Sequence, residues 1–385
     1  MTIDFDKIID RRRTGSYKWD SDGHQSTLPM WVADMDFKVA DCITQSLQKR
    51  LEHPIYGYAI APESLIQTIV DRIKSNHNWV IKKEWIVWLP GLETSFALAS
   101  KCIHSDSAKV MYLSPIYPPF FTGPRAAKKV TVKFNITLNN DNEWELDFEK
   151  LETVLAGDPE IKTLLFCNPH NPVGKVYKED EIKKLIHLCN KYKVMLCSDE
   201  IHCDLILNGE AHISAAAIDK TIEQNSITLM GASKTFNIAG LGCGYAIIPN
   251  DQLRQSFKIN MRGNTSMINP FGYLATETAY RKAEEWRIAL ISYLNANLDF
   301  LANEISLMPG CEMVKPEASF LAWVNCKETG IENPSSYFKS YGVDFSPGEQ
   351  YGSPGWVRIN FGCPLSTLKT GLAKMKNAIE EHHSL

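Results

Sequence analysis

Several short segments of this sequence place reactive or anion-holding groups directly after apolar runs. In GASKTFNIAGLGCGY, Lys234 stands among small residues, with Ser233 before it and Gly240, Gly242 and Gly244 after it. Lysine is among the residues least often buried, so its place in a segment that reads as interior asks for a reason. VMLCSDEIH ends an apolar run on Asp199 and continues to His202. NPHNPVG carries Asn171, SPIYPPF carries Tyr117, and WIVWLP runs into Gly91, Leu92 and Glu93 ahead of a helical pattern. A lysine, a carboxylate, an amide, an aromatic and a helix N-terminus are together what pyridoxal 5'-phosphate (PLP) requires. Its aldehyde takes a lysine as a Schiff base, and its ring nitrogen needs a carboxylate to stay protonated as the electron sink. Its phenolic oxygen needs a donor, its ring face an aromatic or apolar surface, and its phosphate suits the free N–H groups of a helix start. Each piece alone has a plainer reading. An Asp at a strand end is usually a cap or turn residue, and a Pro-rich segment is usually a loop. The argument for a site rests on their joint occurrence.

The elements that must position these groups alternate along the chain. KVMYL (109–113), VTVKF (130–134), IKTLLFC (161–167), VMLCSD (194–199), SITLM (226–230) and GYAII (244–248) read as short buried strands. The clearest helix between them is KEDEIKKLIHLCNKY (178–192), whose apolar face is Ile182, Leu185, Ile186 and Cys189. Strands alternating with helices argue an α/β fold with a parallel sheet covered on both faces. In such sheets ligands bind beyond the carboxyl ends of the strands, which is where the reactive groups fall. From Pro270 to about Ser306 the pattern is long and helical. ASFLAWVN (318–325), WVRINFG (356–362) and a last helix near 364–381 read as a smaller α+β lobe. A chain of 385 residues exceeds what one core usually serves, roughly 250–300 residues. The expected division is an N-terminal arm, residues 1–50, packing with the small lobe, a large cofactor-binding domain, 51–275, and a small domain, 276–385.

Composition narrows the function. With 44% hydrophobic residues, 22% charged residues and a net charge of -4, the chain offers no basic face for nucleic acid. Arg11, Arg12 and Arg13 form the one basic cluster, offset by Asp4, Asp6 and Asp10, and read as a solvated or dimer-contacting arm. No apolar run approaches the ~20 residues that span a bilayer. The N-terminus lacks the apolar region of a signal peptide. The ten cysteines show no C-x-x-C pair or zinc spacing. Reduced, structural cysteines, a cytoplasmic location and no metal are therefore expected. The sequons at Asn135 and Asn264 are read as chance matches.

NPHNPVG, SDEIH and SKTFNIAGL resemble the characteristic segments of the fold-type I PLP enzymes, the aspartate aminotransferase superfamily. LPMWVADMDF (28–37), HPIYGY (53–58), SPIYPPF and SDEIHCDL together resemble its MalY/PatB branch, the cystathionine β-lyases or cysteine-S-conjugate β-lyases. The resemblance runs from about Phe5 to the C-terminal helix. It implies a mostly parallel seven-stranded sheet between helices, a smaller α+β domain, and a homodimer with shared active sites. It implies that Lys234 bonds the cofactor and acts as acid and base, and that Asp199 pairs with the ring nitrogen. Asn171 would donate to the phenolic oxygen, with His202 near it, and Tyr117 would stack on the ring. Gly91, Leu92 and Glu93 would present backbone amides to the phosphate, helped by Ser233 and by Tyr58 from the neighbouring subunit. Glu93 suits that place only with its side chain turned away. The catalytic group implied is Lys234, Tyr117, Asp199 and Tyr58, and Arg358, Tyr117 and Asn171 would bind the substrate. Many relatives carry an arginine at the position of Gly242, and the MalY/PatB branch often lacks it.

The reaction implied is β-elimination. Lys234, as a neutral amine, removes the Cα proton of a sulfur amino acid, and the thiolate leaves Cβ, protonated by Lys234 or a tyrosine. Pyruvate and ammonia follow by hydrolysis, and cystathionine would give homocysteine. The alternative is an aminotransferase, in which Lys234 moves the same proton and no bond at Cβ breaks. A third reading is a regulator that acts by binding another protein.

Overall fold

In the computed structural model, residues 3–21, 27–207, 209 and 211–384 are described. Residues 1–2 and 22–26 of the expected arm lie outside them. The main sheet comprises β1 (Ile86–Leu89), β2 (Lys109–Ser114), β3 (Val130–Asn135), β4 (Ile161–Cys167), β5 (Met195–Asp199), β6 (Ser226–Met230) and β7 (Gly244–Ile247), in the spatial order β1-β7-β6-β5-β4-β2-β3. Only β7 runs antiparallel to its neighbours. The mostly parallel seven-stranded sheet expected for a fold-type I enzyme is therefore present.

Side chains alternate across the sheet with period two, as a doubly covered sheet demands. Leu164 and Phe166 of β4 pack on one face with Ile182, Leu185, Ile186 and Cys189, the apolar stripe of a helix over Glu179–Tyr192. Leu165 and Cys167 pack on the other with Phe96 and Leu98 from α1 (Glu93–Lys101). Burying each large apolar side chain contributes about 1.5–3 kcal/mol. VTVKF is a strand but not a buried one. It lies at the sheet edge, and within β3 only Phe134 is buried.

The long helical pattern after Pro270 is two helices, Pro270–Lys282 and Glu284–Ser306, separated at Ala283. A second, antiparallel sheet comprises β8 (Glu312–Met313), β9 (Leu321–Asn325), β10 (Ser346–Pro347) and β11 (Trp356–Asn360), in the order β8-β9-β11-β10. The chain ends in a helix over Leu365–His383. Near the N-terminus, Leu28–Pro29 pairs in parallel with Val343–Asp344, which ties the early chain to the late one. Among the described residues no helix is long and apolar enough to cross a membrane.

Candidate active site

The carboxyl ends of β4, β5 and β6 open together onto one cavity of about 470 Å³. Asp199 lines it from the last position of β5, His202 from the loop after β5, Ser233 and Lys234 from the loop after β6, and Asn171 from the loop after β4. Tyr117 lines it from the loop after β2, and Gly91, Leu92 and Glu93 from the entry to α1. Arg358, on β11, is not part of this wall but is bound to it through Asn171. Tyr58 is elsewhere. It is 95% exposed, in a segment with Ile55, Tyr56 and Ile60 also exposed.

Lys234 follows β6 in a turn, and its Nζ donates to the Ala33 carbonyl at 2.9 Å. Burial and the nearby Arg358 cation hold the amine below its ordinary range. That favours the neutral form a base or nucleophile needs. Asp199 is pushed the other way, up to about 7. Burial is the main cause, opposed by an N–H from Ile201 at 3.1 Å and by the Lys234 charge. A buried carboxylate in this state suits a cationic partner. The imidazole of His202 is held down to about 3 by burial and by the Lys234 and Arg358 charges, so it is neutral. Its Nδ1 is buried with no hydrogen-bond partner among the described residues.

Asn171 accepts from Arg358 Nη1 through Oδ1 at 3.2 Å, which leaves its NH2 group as the donor. Arg358 Nη2 also donates to the Trp31 carbonyl at 2.8 Å, and the guanidinium lies 5.0 Å from the Tyr351 ring centroid. Its Nε is buried without a partner among the described residues. A planar fork with an unused donor suits a carboxylate.

At the opposite end, α1 has no side-chain cap; its Ser95 N–H turns back to the Leu92 carbonyl at 3.0 Å, and the N–H groups of Glu93 and Thr94 before it can serve an anion. Two glycines of β7 and its approach let this loop come close. A Cβ on Gly244 would stand 2.9 Å from Leu92 Cδ2, and one on Gly242 3.0 Å from the Pro90 carbonyl. Gly242 also holds a left-handed φ of +57°. An arginine there would meet both objections. The Glu93 side chain does not meet the condition of being turned away. It lines the cavity and accepts from the Tyr117 hydroxyl. Burial and this carboxylate push the Tyr117 phenol well above its usual range, so it stays protonated.

The sequence reading missed what holds Ala33. The strap Met30–Phe37 is neither helix nor strand, yet its carbonyls are engaged one after another. Asn360 N takes Met30, Arg358 and Ser346 take Trp31, and Asn360 Nδ2 takes Val32 and Asp34. Asn237 takes Met35 and Phe37. The signal was available in MWVADMDF, where two carboxylates break an apolar run.

This fold and this site define a class before any particular relative. The family model described as aminotransferase class I and II matches residues 31–375, and the chain belongs to that family. Within it the chain is 35% identical to cystathionine beta-lyase PatB of Bacillus subtilis (strain 168), over 98% of this chain and 100% of that protein. It is 30% identical to protein MalY of Escherichia coli (strain K12), over 98% of this chain and 99% of that one. The crystal structure of the PLP-bound C-S lyase from Staphylococcus hominis superposes with a TM-score of 0.91 at 32% identity, covering 98% of each chain. The resemblance to the MalY/PatB branch therefore holds over nearly the whole length.

Proposed function

We propose that this protein is a PLP-dependent C–S β-lyase that cleaves cystathionine or related cysteine S-conjugates to a thiol, pyruvate and ammonia. The observation that carries the reading is the single cavity lined by Lys234, Asp199, Asn171, His202 and Tyr117, with the uncapped start of α1 at one end. The residues suit PLP: a lysine amine held low, a buried carboxylate without an ion pair among the described residues, and free N–H groups for a phosphate. Lys234 would hold the aldehyde carbon, Asp199 the ring nitrogen, Asn171 and His202 the phenolic oxygen, and the backbone N–H groups of Gly91, Leu92 and Glu93, with Ser233, the phosphate. When bound, the cofactor supplies an electron sink for the bond that breaks at Cα.

The chain's own residues do the rest. Arg358 binds the substrate carboxylate through its fork, with Asn171 aligned by the same guanidinium. Lys234, once free, takes the Cα proton on Nζ, while the Ala33 carbonyl orients that amine from the side. The Tyr117 phenol stands at the wall with its one proton donated to the Glu93 carboxylate. The leaving thiolate takes its proton from the Lys234 ammonium, which formed when Nζ took the Cα proton.

Three further expectations belong to this reading. The chain works as a homodimer, supported by the exposed apolar segment with Ile55, Tyr56, Tyr58 and Ile60, from which Tyr58 would reach the neighbour's phosphate site. Its location is cytoplasmic, supported by ten cysteines that are all free thiols. Its division into an arm (1–50), a large domain (51–275) and a small domain (276–385) is supported by the two separate sheets.

The test is to give the purified protein cystathionine with no keto acid. Pyruvate and a thiol are expected. Their absence, with interconversion of an amino acid and a keto acid instead, would move the assignment to an aminotransferase.

A further inference from the structure

We propose that Arg11 is a positioning residue of the active-site lysine: its guanidinium neutralises Asp34 and, with Lys18 and Asp36, fixes the strap whose Ala33 carbonyl orients the Lys234 amine. The inference concerns the chain's own charges and rests only in part on the lyase reading.

The geometry is specific. Arg11 grips Asp34 with two prongs, Nη1 to Oδ1 at 3.0 Å and Nη2 to Oδ2 at 2.7 Å. The same Nη1 reaches Asp36 at 2.7 Å and the Met35 carbonyl at 3.3 Å. Asp36 is further held by Lys18 Nζ at 2.7 Å and by the Trp19 indole N–H at 2.9 Å. The Lys18 side chain is 1% exposed and that of Asp36 6%. Arg11 is thus no solvated arm residue. Its neighbours Arg12 and Arg13 remain exposed.

Buried ion clusters rarely add net stability over apolar packing, because desolvating the charges offsets their attraction. Here the Lys18–Asp36 pair is buried and the Arg11–Asp34 pair half-buried, and the position of the cluster supplies another role. Asp34 and Asp36 flank Met35 in the strap. Ala33, beside Asp34, carries the carbonyl that receives Lys234 Nζ. The charged and titratable groups facing that amine are Arg358 from β11, Asp199 from the end of β5, His202 from the loop after it, Glu93 from α1, and Asp34 from the strap. Of these, Asp34 alone is paired by the N-terminal arm. With Arg11 in place, much of its charge is cancelled before it reaches the amine. Without Arg11, Lys18 stays committed to Asp36 and stands 3.8 Å from Asp34. Asp34 then keeps the more distant Lys18 as its cation, acts on Lys234 with less of its charge cancelled and favours the ammonium.

Two substitutions should therefore move the lysine in opposite directions. Arg11→Met keeps the apolar stem and removes the cation. The Lys234 titration should shift up by about 0.5 pH unit or more, so that near-neutral labelling slows about threefold. Asp34→Asn should shift it down, and the double variant should return towards the parent. The readout is carbamoylation of Lys234 by cyanate, followed against pH by peptide mass spectrometry in full-length protein freed of cofactor. The pH titration of visible absorbance in the loaded enzyme is the second readout. Neither needs lyase turnover, so a failed lyase assay leaves this test standing. A Lys234 titration that Arg11→Met leaves in place, or moves downward, overturns the proposal even if the melting temperature falls. Should Arg11→Met not fold, Asp34→Asn decides alone, and a shift that is absent or upward refutes the idea.

Discussion

Asp199→Asn should make the cofactor-free protein more stable and the enzyme inactive. In the cofactor-free chain the Asp199 carboxyl titrates at about 7, against ~3.9 for an ordinary aspartate. A folded-state pKa raised above the unfolded value means that stability is fully present below the unfolded value and lost as pH rises towards the folded one. The loss therefore accumulates between about pH 4 and pH 7 and then levels off. At about pH 8 it reaches about 4 kcal/mol, and at about pH 5 roughly a third of that. Asparagine is nearly isosteric and carries no charge, so it should recover most of this. For a chain of this length the unfolding entropy is ~0.8 kcal/mol/K, which converts 4 kcal/mol into a rise of about 5 °C in the melting temperature. Calorimetry of cofactor-free parent and variant at the two pH values measures it. In the loaded protein the sign should reverse, because asparagine cannot stabilise a protonated ring nitrogen, and pyruvate formation should fall by at least about a hundredfold. A variant that melts at or below the parent at the higher pH, without cofactor, would refute the buried-charge reasoning.

Arg358→Lys should raise KM for amino-acid substrates about 10- to 100-fold with a smaller change in kcat, because a point charge cannot grip a carboxylate while also holding Asn171 and Trp31. Steady-state kinetics giving a KM close to the parent value would remove Arg358 from the substrate site. Gly242→Arg should weaken rather than strengthen cofactor retention and destabilise the fold by about 1–3 kcal/mol, because the left-handed φ and the Pro90 carbonyl both oppose a side chain. Absorbance after dialysis and a thermal melt report the two effects, and tighter retention would contradict the packing argument. Mixing inactive Tyr58→Ala and Lys234→Ala chains should restore lyase activity through hybrid dimers, to about a quarter of the parent sites at equal mixing. No recovery after subunit exchange would place Tyr58 outside the neighbour's site.

What the sequence disclosed and what it hid divide on a physical line. Patterns carried by one element were readable. The stripe Ile182, Leu185, Ile186 and Cys189 is buried as its spacing requires, and strand ends bearing Asp199 and Lys234 converge because parallel strands deliver their carboxyl ends to one edge. Features set by packing between distant elements were not. VTVKF has the composition of a buried strand, but only sheet order decides that it is an edge. Arg11 looked solvated because the acidic residues near it in sequence seemed its partners, whereas the fold pairs it with Asp34 and Asp36.

The phosphate end of the site shows how the two kinds of information combine. From sequence, Gly242 is a missing cation and Glu93 an unwelcome anion. In the fold, Gly242 and Gly244 permit Pro90 and Leu92 to pack against them, which brings the uncapped start of α1 to the cavity. An arginine at residue 242 would add a charge and push that loop away. Glu93 is accommodated differently: its carboxylate accepts the hydrogen bond of the Tyr117 hydroxyl and keeps the phenol protonated. On the proposed reading, backbone N–H groups would hold the phosphate because the glycines let the backbone come close. The residue that looked like an absence in the sequence is what lets the Pro90 carbonyl pack where a side chain would stand.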